Sequence, residues 1–407
     1  MDEIARRYLL LGLRLGRHVP GFVDSYVGPS ELAEVVAGEE PVAAMALHDE
    51  ALRLQELAAE LPAEEPGEER RRAWFGPQLR AIGALARQAA GEEIGFVDLV
   101  EQLFDLRVGI IPEERLAAAR ARIDEVLPGS GPLAERYRSF TEQLQVPAGR
   151  ALEVARASAE RFRTAARRDF DVPQDEAIEW AAASDQSWNA QATFLGRGRT
   201  RIELNLDLPR DVVTIARLAA HEGYPGHHLD NITKERTLIR DAGLGEATLW
   251  TLATPELVLA EGLASVAREV VMSDLELAAE MRRIAADAGL QPGGLPGIAA
   301  LVASPVLELH GAYANAALML HDQGLPIDTV RDYLCDMTIQ PTATIDHAMR
   351  ALQDPFGRTY EFTYSEGVRI VRAWLEVQGQ TAGFARLLAE QLTPSRLVAE
   401  AFPTDVS

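Results

Sequence analysis

The sequence predicts a mainly α-helical fold with one small β-hairpin lying beside a histidine-rich helix. Three observations carry that prediction: apolar residues recur three and four apart through most of the chain, turn-forming clusters punctuate it, and one stretch alternates with a period of two.

From the N-terminus, M-D-E-I-A-R-R-Y-L-L-L-G-L has acidic residues where a secretory leader carries basic ones, and arginines interrupt its apolar part. No signal peptide is expected there. In A-M-A-L-H-D-E-A-L-R-L-Q-E-L-A-A-E-L (44–61), Leu47, Leu52, Leu54 and Leu57 are spaced mostly three or four apart, as one face of an amphipathic helix requires. Similar patterns predict helices at 71–90, 97–107, 113–127, 150–167, 271–289, 326–338 and 382–392. Turn chemistry at 63–69, 128–132 and 291–297 separates them, and the acidic run at 63–69 reads as a solvated connection. The exception lies at 187–209, where Ile202, Leu204 and Leu206 alternate with Glu203, Asn205 and Asp207. That is a half-buried strand, with Gly196 and Gly198 turning the chain from a partner strand at about 190–195.

At 407 residues the chain is long enough for two lobes, expected at 1–175 and 176–407 or fused into one continuous domain. Forty Lys and Arg against 62 Asp and Glu leave a net charge of -22, which argues against nucleic acid as a partner. The lone Cys335 excludes an internal disulfide and a thiolate cluster for metal. No uninterrupted apolar run reaches the roughly 18 to 20 residues of a membrane span, so the expectation is a cytoplasmic protein without a membrane partner. Oligomeric state leaves no mark in the sequence.

The chemistry concentrates at A-A-H-E-G-Y-P-G-H-H-L-D (219–230). It begins like the zinc helix H-E-x-x-H, but Pro225 stands where the second ligand belongs. Proline removes an amide donor and crowds the carbonyl of His221, so the helix that enters through 212–220 must kink or bulge. With two additional residues taken up in that bulge, His227 arrives where an i+4 ligand would stand, and His228 is the alternative. A third ligand is expected from T-P-E-L-V-L-A-E-G-L-A-S-V-A (254–267), a helix opened by Thr254 and Pro255. Glu261 is the only charge between Leu257 and Ala267, and a carboxylate in so apolar a run calls for a cation. Two imidazoles and a carboxylate leave one position open on a tetrahedral Zn2+, and Glu222, beside the first ligand, is placed as general base for a water.

At these residues the chain resembles the bacterial family catalogued as domain of unknown function 885, through H-E-G-Y-P-G-H-H (221–228), E-G-L-A-S (261–265) and the opening V-P-G-F-V-D-S-Y-V-G-P (19–29). The resemblance covers nearly the whole chain. It implies a multi-helix fold related to the glutamate-zincin peptidases, with a cleft beside a small sheet, zinc on His221, His227 and Glu261, and Glu222 as base. Leu263 stands where that family commonly has an aromatic residue. In E-F-T-Y-S-E-G-V-R-I-V-R (361–372), the likeness to such peptidases suggests Tyr364 for the oxyanion, and Arg369 or Arg372 for a substrate carboxylate. His310 is a supporting candidate. An extended substrate is expected to add a strand to the edge formed by 200–206, around Asn205.

The function expected is zinc-dependent hydrolysis of amide bonds in small peptides. The alternatives are a noncatalytic protein that binds a ligand or partner on the same scaffold, or a metal-dependent hydrolase of non-peptide esters or amides.

Overall fold

Most of the apolar stripes become helices with ends close to those expected: Ala44–Ala59, Glu113–Val126, Ala148–Ala166, Asp274–Asp287, Ile327–Met337 and Gln380–Ala389. The structure, a computed structural model, describes residues 1–186, 188–354 and 357–402. One boundary departs from expectation. The helix Pro66–Ala89 starts inside the acidic run, because Pro66 suits a first helical position and Glu68 accepts a hydrogen bond from the backbone of Glu65 at 3.2 Å. Acid and proline together made a helix start, not merely a connection.

The helical run Leu295–His321 has the length and apolar composition of a membrane-crossing segment, although Glu308 and His310 interrupt it. In the fold it divides into Leu295–Glu308, packed on Asp274–Asp287 and Glu113–Val126, and Gly311–His321, packed on Ile327–Met337 and Glu361–Gln378. Buried apolar side chains from Ile4 to Leu397 form one cluster, with Tyr8, Tyr224 and Trp374 among its largest members.

The hairpin forms from Ala190–Gly196 and Arg199–Asn205, with Gly196, Arg197 and Gly198 all at positive φ through the turn. The Glu235 carboxylate closes that turn by accepting from the amides of Arg197 at 2.6 Å and Gly198 at 2.8 Å. A third strand, Ala177–Ala183, joins in parallel on the other side, giving a sheet whose middle strand is Arg199–Asn205. Its alanines carry little alternation, so sequence periodicity passed over it.

This placement corrects the expected substrate edge. Both sides of 199–205 are already paired, and the Asn205 amide donates to the carbonyls of Gln186 and Trp188, each at 3.1 Å. Asn205 therefore holds the loop that precedes the hairpin. Among the described residues, strand 190–196 has no second partner strand, and it packs on both 219–223 and His227–Lys234.

Two helices bring the distant parts of the site together. Pro255–Val271 and Glu361–Gln378 cross with their backbones in contact: a Cβ on Gly262 would meet the Gly367 carbonyl oxygen at 2.5 Å, and one on Gly367 would meet that of Val258 at 2.6 Å. Glycine at both positions lets Glu261 and Tyr364, close to the crossing on their respective helices, approach a common point.

Candidate metal centre

Asp211 caps the helix Val212–Leu218, its carboxylate accepting from the Thr214 amide at 2.7 Å. The helix then widens at Ala219–Gly223 into a π turn, in which Tyr224 N reaches back to Ala219 O at 3.3 Å and Gly226 N to Ala220 O at 3.0 Å. The Tyr224–Pro225 peptide is cis, and a new helix starts at His227. Gly226 has φ −76°, so its role is steric and not left-handed: a Cβ there would lie 1.9 Å from the His221 carbonyl oxygen.

The bulge turns His227 back onto His221. Their Nε2 atoms are 3.2 Å apart, and Glu261 Oε2 lies 3.2 Å from the first and 3.8 Å from the second. Ligands on a tetrahedral ion with bonds of about 2.0–2.1 Å stand roughly 3.3–3.4 Å apart, so these three atoms fit one metal ion. Buried Glu261 Oε2 has no hydrogen-bond donor, while Oε1 receives the Tyr360 hydroxyl at 2.7 Å.

Electrostatics agree with the distances. Burial opposes charge on His227, but the Glu261 carboxylate overrides it and raises the imidazole above its usual range. Conversely, burial would raise the Glu261 carboxyl, yet the two imidazoles hold it well below the carboxylate range.

The other candidates separate cleanly. His228 is fully buried and engaged elsewhere, with Nδ1 on Thr200 Oγ1 at 2.7 Å and Nε2 on Glu176 Oε2 at 2.9 Å; Tyr224 and Arg163 also bind Glu176. It ties the bulge to the sheet and does not face the triad. Glu222 is buried and has no hydrogen-bond or ion-pair partner among the described residues, and its charge is felt at His227, Asp24 and Tyr364. The Tyr364 ring sits 6.4 Å from that of His221, centroid to centroid. Burial, then the Glu261 charge, raises its hydroxyl well above the usual phenol range, so it stays a donor.

Arg369 and Arg372 do not reach the triad. Arg369 is paired with Glu366 at 2.7 Å, and Arg372 holds Glu269 and Ser304, the latter at 2.9 Å. Glu269 lies eight residues beyond Glu261, about 12 Å along the helix. Arg372 braces its helix against two neighbours, while Arg369 pairs within its own helix. His310 stands against Tyr313, ring centroids 5.9 Å apart, where burial and the charge of Arg217 push its imidazole down to about 4.

Two residues at the site escaped the sequence reading. Tyr360 orients Glu261, one helical turn before Tyr364. Asp24, in the opening segment, receives Gln191 Nε2 at 3.4 Å; burial raises its carboxyl, and the charges of His227, Glu261 and Glu222 act on it. No local pattern marks either, since both are brought in by packing.

No protein-family profile matches the chain, and no curated protein matches it. Solved structures similar to it include a protein described as a lipoprotein from Colwellia psychrerythraea, with TM-score 0.54 and 15% identity over 91% of this chain and 69% of that one. A second, described as a lipoprotein of unknown function from Shewanella oneidensis, has TM-score 0.50 and 10% identity over 90% and 75%. A looser overlay, TM-score 0.41 at 13% identity, spans 99% of this chain and 95% of an M32 carboxypeptidase from Deinococcus radiodurans R1. The first two likenesses establish a shared mainly helical fold.

Proposed function

We propose that this protein is a zinc-dependent hydrolase that cleaves amide bonds of small peptides. The observation that carries the reading is the convergence of His221 Nε2, His227 Nε2 and Glu261 Oε2 at tetrahedral spacing, next to the unpartnered carboxylate of Glu222. Neutral nitrogen donors with one carboxylate suit zinc and leave room for a reacting group. Zinc held by these three residues would supply Lewis acidity, making water nucleophilic near neutral pH and polarising the substrate carbonyl.

The chain's own residues account for the remaining steps. Glu222 accepts the proton of the attacking water on a carboxylate oxygen and returns it to the departing amine nitrogen. The Tyr364 hydroxyl donates to the carbonyl oxygen as negative charge develops there. Tyr360 keeps Glu261 turned so that Oε2 faces the histidines. The substrate main chain lies along strand 190–196. Asn205 N donates to Asn189 O at 3.0 Å, so the antiparallel alternation turns the amides and carbonyls of Ala190, Ala192 and Phe194 outward. Ser25 Oγ already binds the Phe194 carbonyl, which leaves Ala190 and Ala192 for a peptide.

The test combines metal analysis with turnover of a short-peptide library. About one zinc per chain, with turnover lost in E222Q while the metal is retained, supports the proposal. A protein that stays metal-free in excess zinc refutes it.

A further inference from the structure

The opening segment of the chain closes one end of the edge on which a peptide would lie. Val23–Tyr26 pairs with Leu249–Thr251 in a separate two-stranded sheet and also packs beside Ala190–Gly196, where Ser25 Oγ donates to the Phe194 carbonyl. Next to that serine, the half-buried Asp24 reaches Gln191, accepting from its Nε2 at 3.4 Å. Strand 190–196 links this corner to the triad, because it packs on both Ala219–Gly223 and His227–Lys234. The charges of His227, Glu261 and Glu222 are all felt at Asp24. Asp24 nevertheless lies outside the three groups close enough to share one ion. It stands beside the reaction centre and not within the ligand set.

Pairing fixes which end of a substrate meets this corner. Antiparallel pairs are the more stable, and a peptide laid antiparallel on 190–196 runs with its amino end toward Phe194. Ser25 ends the edge there, so the peptide stops beside Ala192. The group waiting at that stop is a carboxylate short of positive charge. Asp24 makes no ion pair with any described residue, and its one donor is a neutral amide at long range. Burial raises its carboxyl; Gln191 and His227 oppose that, while Glu261 and Glu222 add to it. Glu222 is itself only 6% exposed and unpartnered among the described residues. Carboxylates gathered out of water in this way are costly unless a cation joins them.

We propose that Asp24 is the residue that receives the free α-ammonium group of the substrate, so that the substrate class is short peptides cut one or two residues from their amino end. This rests on the peptidase reading above. The dimensions agree. Within one residue the amino nitrogen lies about 2.5 Å from the carbonyl carbon, and each further residue adds roughly 3.3–3.6 Å. An ammonium one or two residues before the cleaved bond therefore stays next to the triad without entering it, as Asp24 does. Three N–H donors on a compact cation suit a carboxylate through charge-assisted hydrogen bonds. The closed edge beyond Ala192 leaves no path for further residues on that side.

The test compares trialanine amide with propionyl-dialanine amide, which lacks only the amino group, and with acetyl-trialanine amide. Calorimetric titration of the full-length, metal-free protein is expected to show the first binding about 10- to 100-fold tighter than the second, the range for a lost charged hydrogen bond. In D24N that ratio should fall to near one, and D24E should keep part of it. Equal binding of the two by the wild type, or no binding of either, overturns the assignment, as does a ratio unchanged in D24N. If D24N does not fold, the wild-type ratio and D24E decide the question. With zinc loaded, a longer peptide should be shortened from its amino end and its acetylated form spared. Cleavage of both forms alike removes the role of Asp24 but leaves the peptidase. Amine-selective binding without turnover of any peptide keeps that role and removes the peptidase.

Discussion

Replacing Gly226 by alanine is expected to disrupt the proposed zinc site without altering any of its three proposed ligands. A Cβ at this position would lie 1.9 Å from the His221 carbonyl oxygen, 2.5 Å from that of Ala220 and 2.6 Å from the His221 carbonyl carbon. Ordinary contact begins near 3.4 Å, so the approach is about 1.5 Å too close. All three obstacles are backbone, and no rotamer change relieves them. Either the π turn opens or the segment from Gly226 onward moves away, and both routes separate His221 from His227, now 3.2 Å apart at Nε2. Ligands must stay within about 0.5 Å of productive geometry. A displacement above 1 Å should therefore weaken zinc binding by at least ~100-fold, with an overpacking cost of about 1–3 kcal/mol in stability. Competition against a chromophoric chelator measures the first, and urea unfolding of the metal-free protein the second. Gly223 supplies the control: a Cβ there meets only Ala159 at 3.6 Å and Ile178 at 3.8 Å, so G223A should keep its zinc affinity within about threefold. Equal zinc affinity in G226A and wild type would refute the bulge as the device that assembles the site.

The remaining predictions address single side chains. E222Q should retain one zinc per chain while peptide turnover falls about 10²- to 10⁴-fold, as loss of a general base requires. In Y360F, Glu261 Oε1 loses its donor, and zinc affinity should fall about 10-fold or more in the same chelator assay. H228A removes a partner from buried Glu176 and should cost about 2–4 kcal/mol in urea unfolding, yet leave the zinc stoichiometry unchanged. Glu361 gives a pH signature. Burial pushes its carboxyl from 4.5 up to about 7, so the folded protein keeps a proton that the unfolded chain has already lost. Wild-type stability should decline as pH rises across that window, and E361Q should gain about 1–3 kcal/mol on wild type at pH 8 with no gain at pH 4.

Much of the helical fold was legible because an amphipathic stripe reports burial directly, as at Ala44–Ala59 and Glu113–Val126. The altered spacing of the histidines was legible too, since Pro225 cannot continue a regular helix and Glu261 is an unaccompanied charge in an apolar run. The choice between His227 and His228 was not. The residues are adjacent, and only the width of the π turn and the pull of Glu176 and Thr200 decide which imidazole meets His221.

The sequence by itself determined the class of fold, the segment where ligand chemistry gathers and the need for a distortion within it. Only the tertiary structure decided the rest: Arg199–Asn205 became an inner strand once Ala177–Ala183 paired with it, Arg372 was drawn to Glu269 on the neighbouring helix, and Tyr360 and Asp24 came to surround the site. The physical reason is that periodicity and charge describe the face an element presents. Partners across that face come from distant segments, as Tyr360 does for Glu261 and Gln191 for Asp24, and packing selects them.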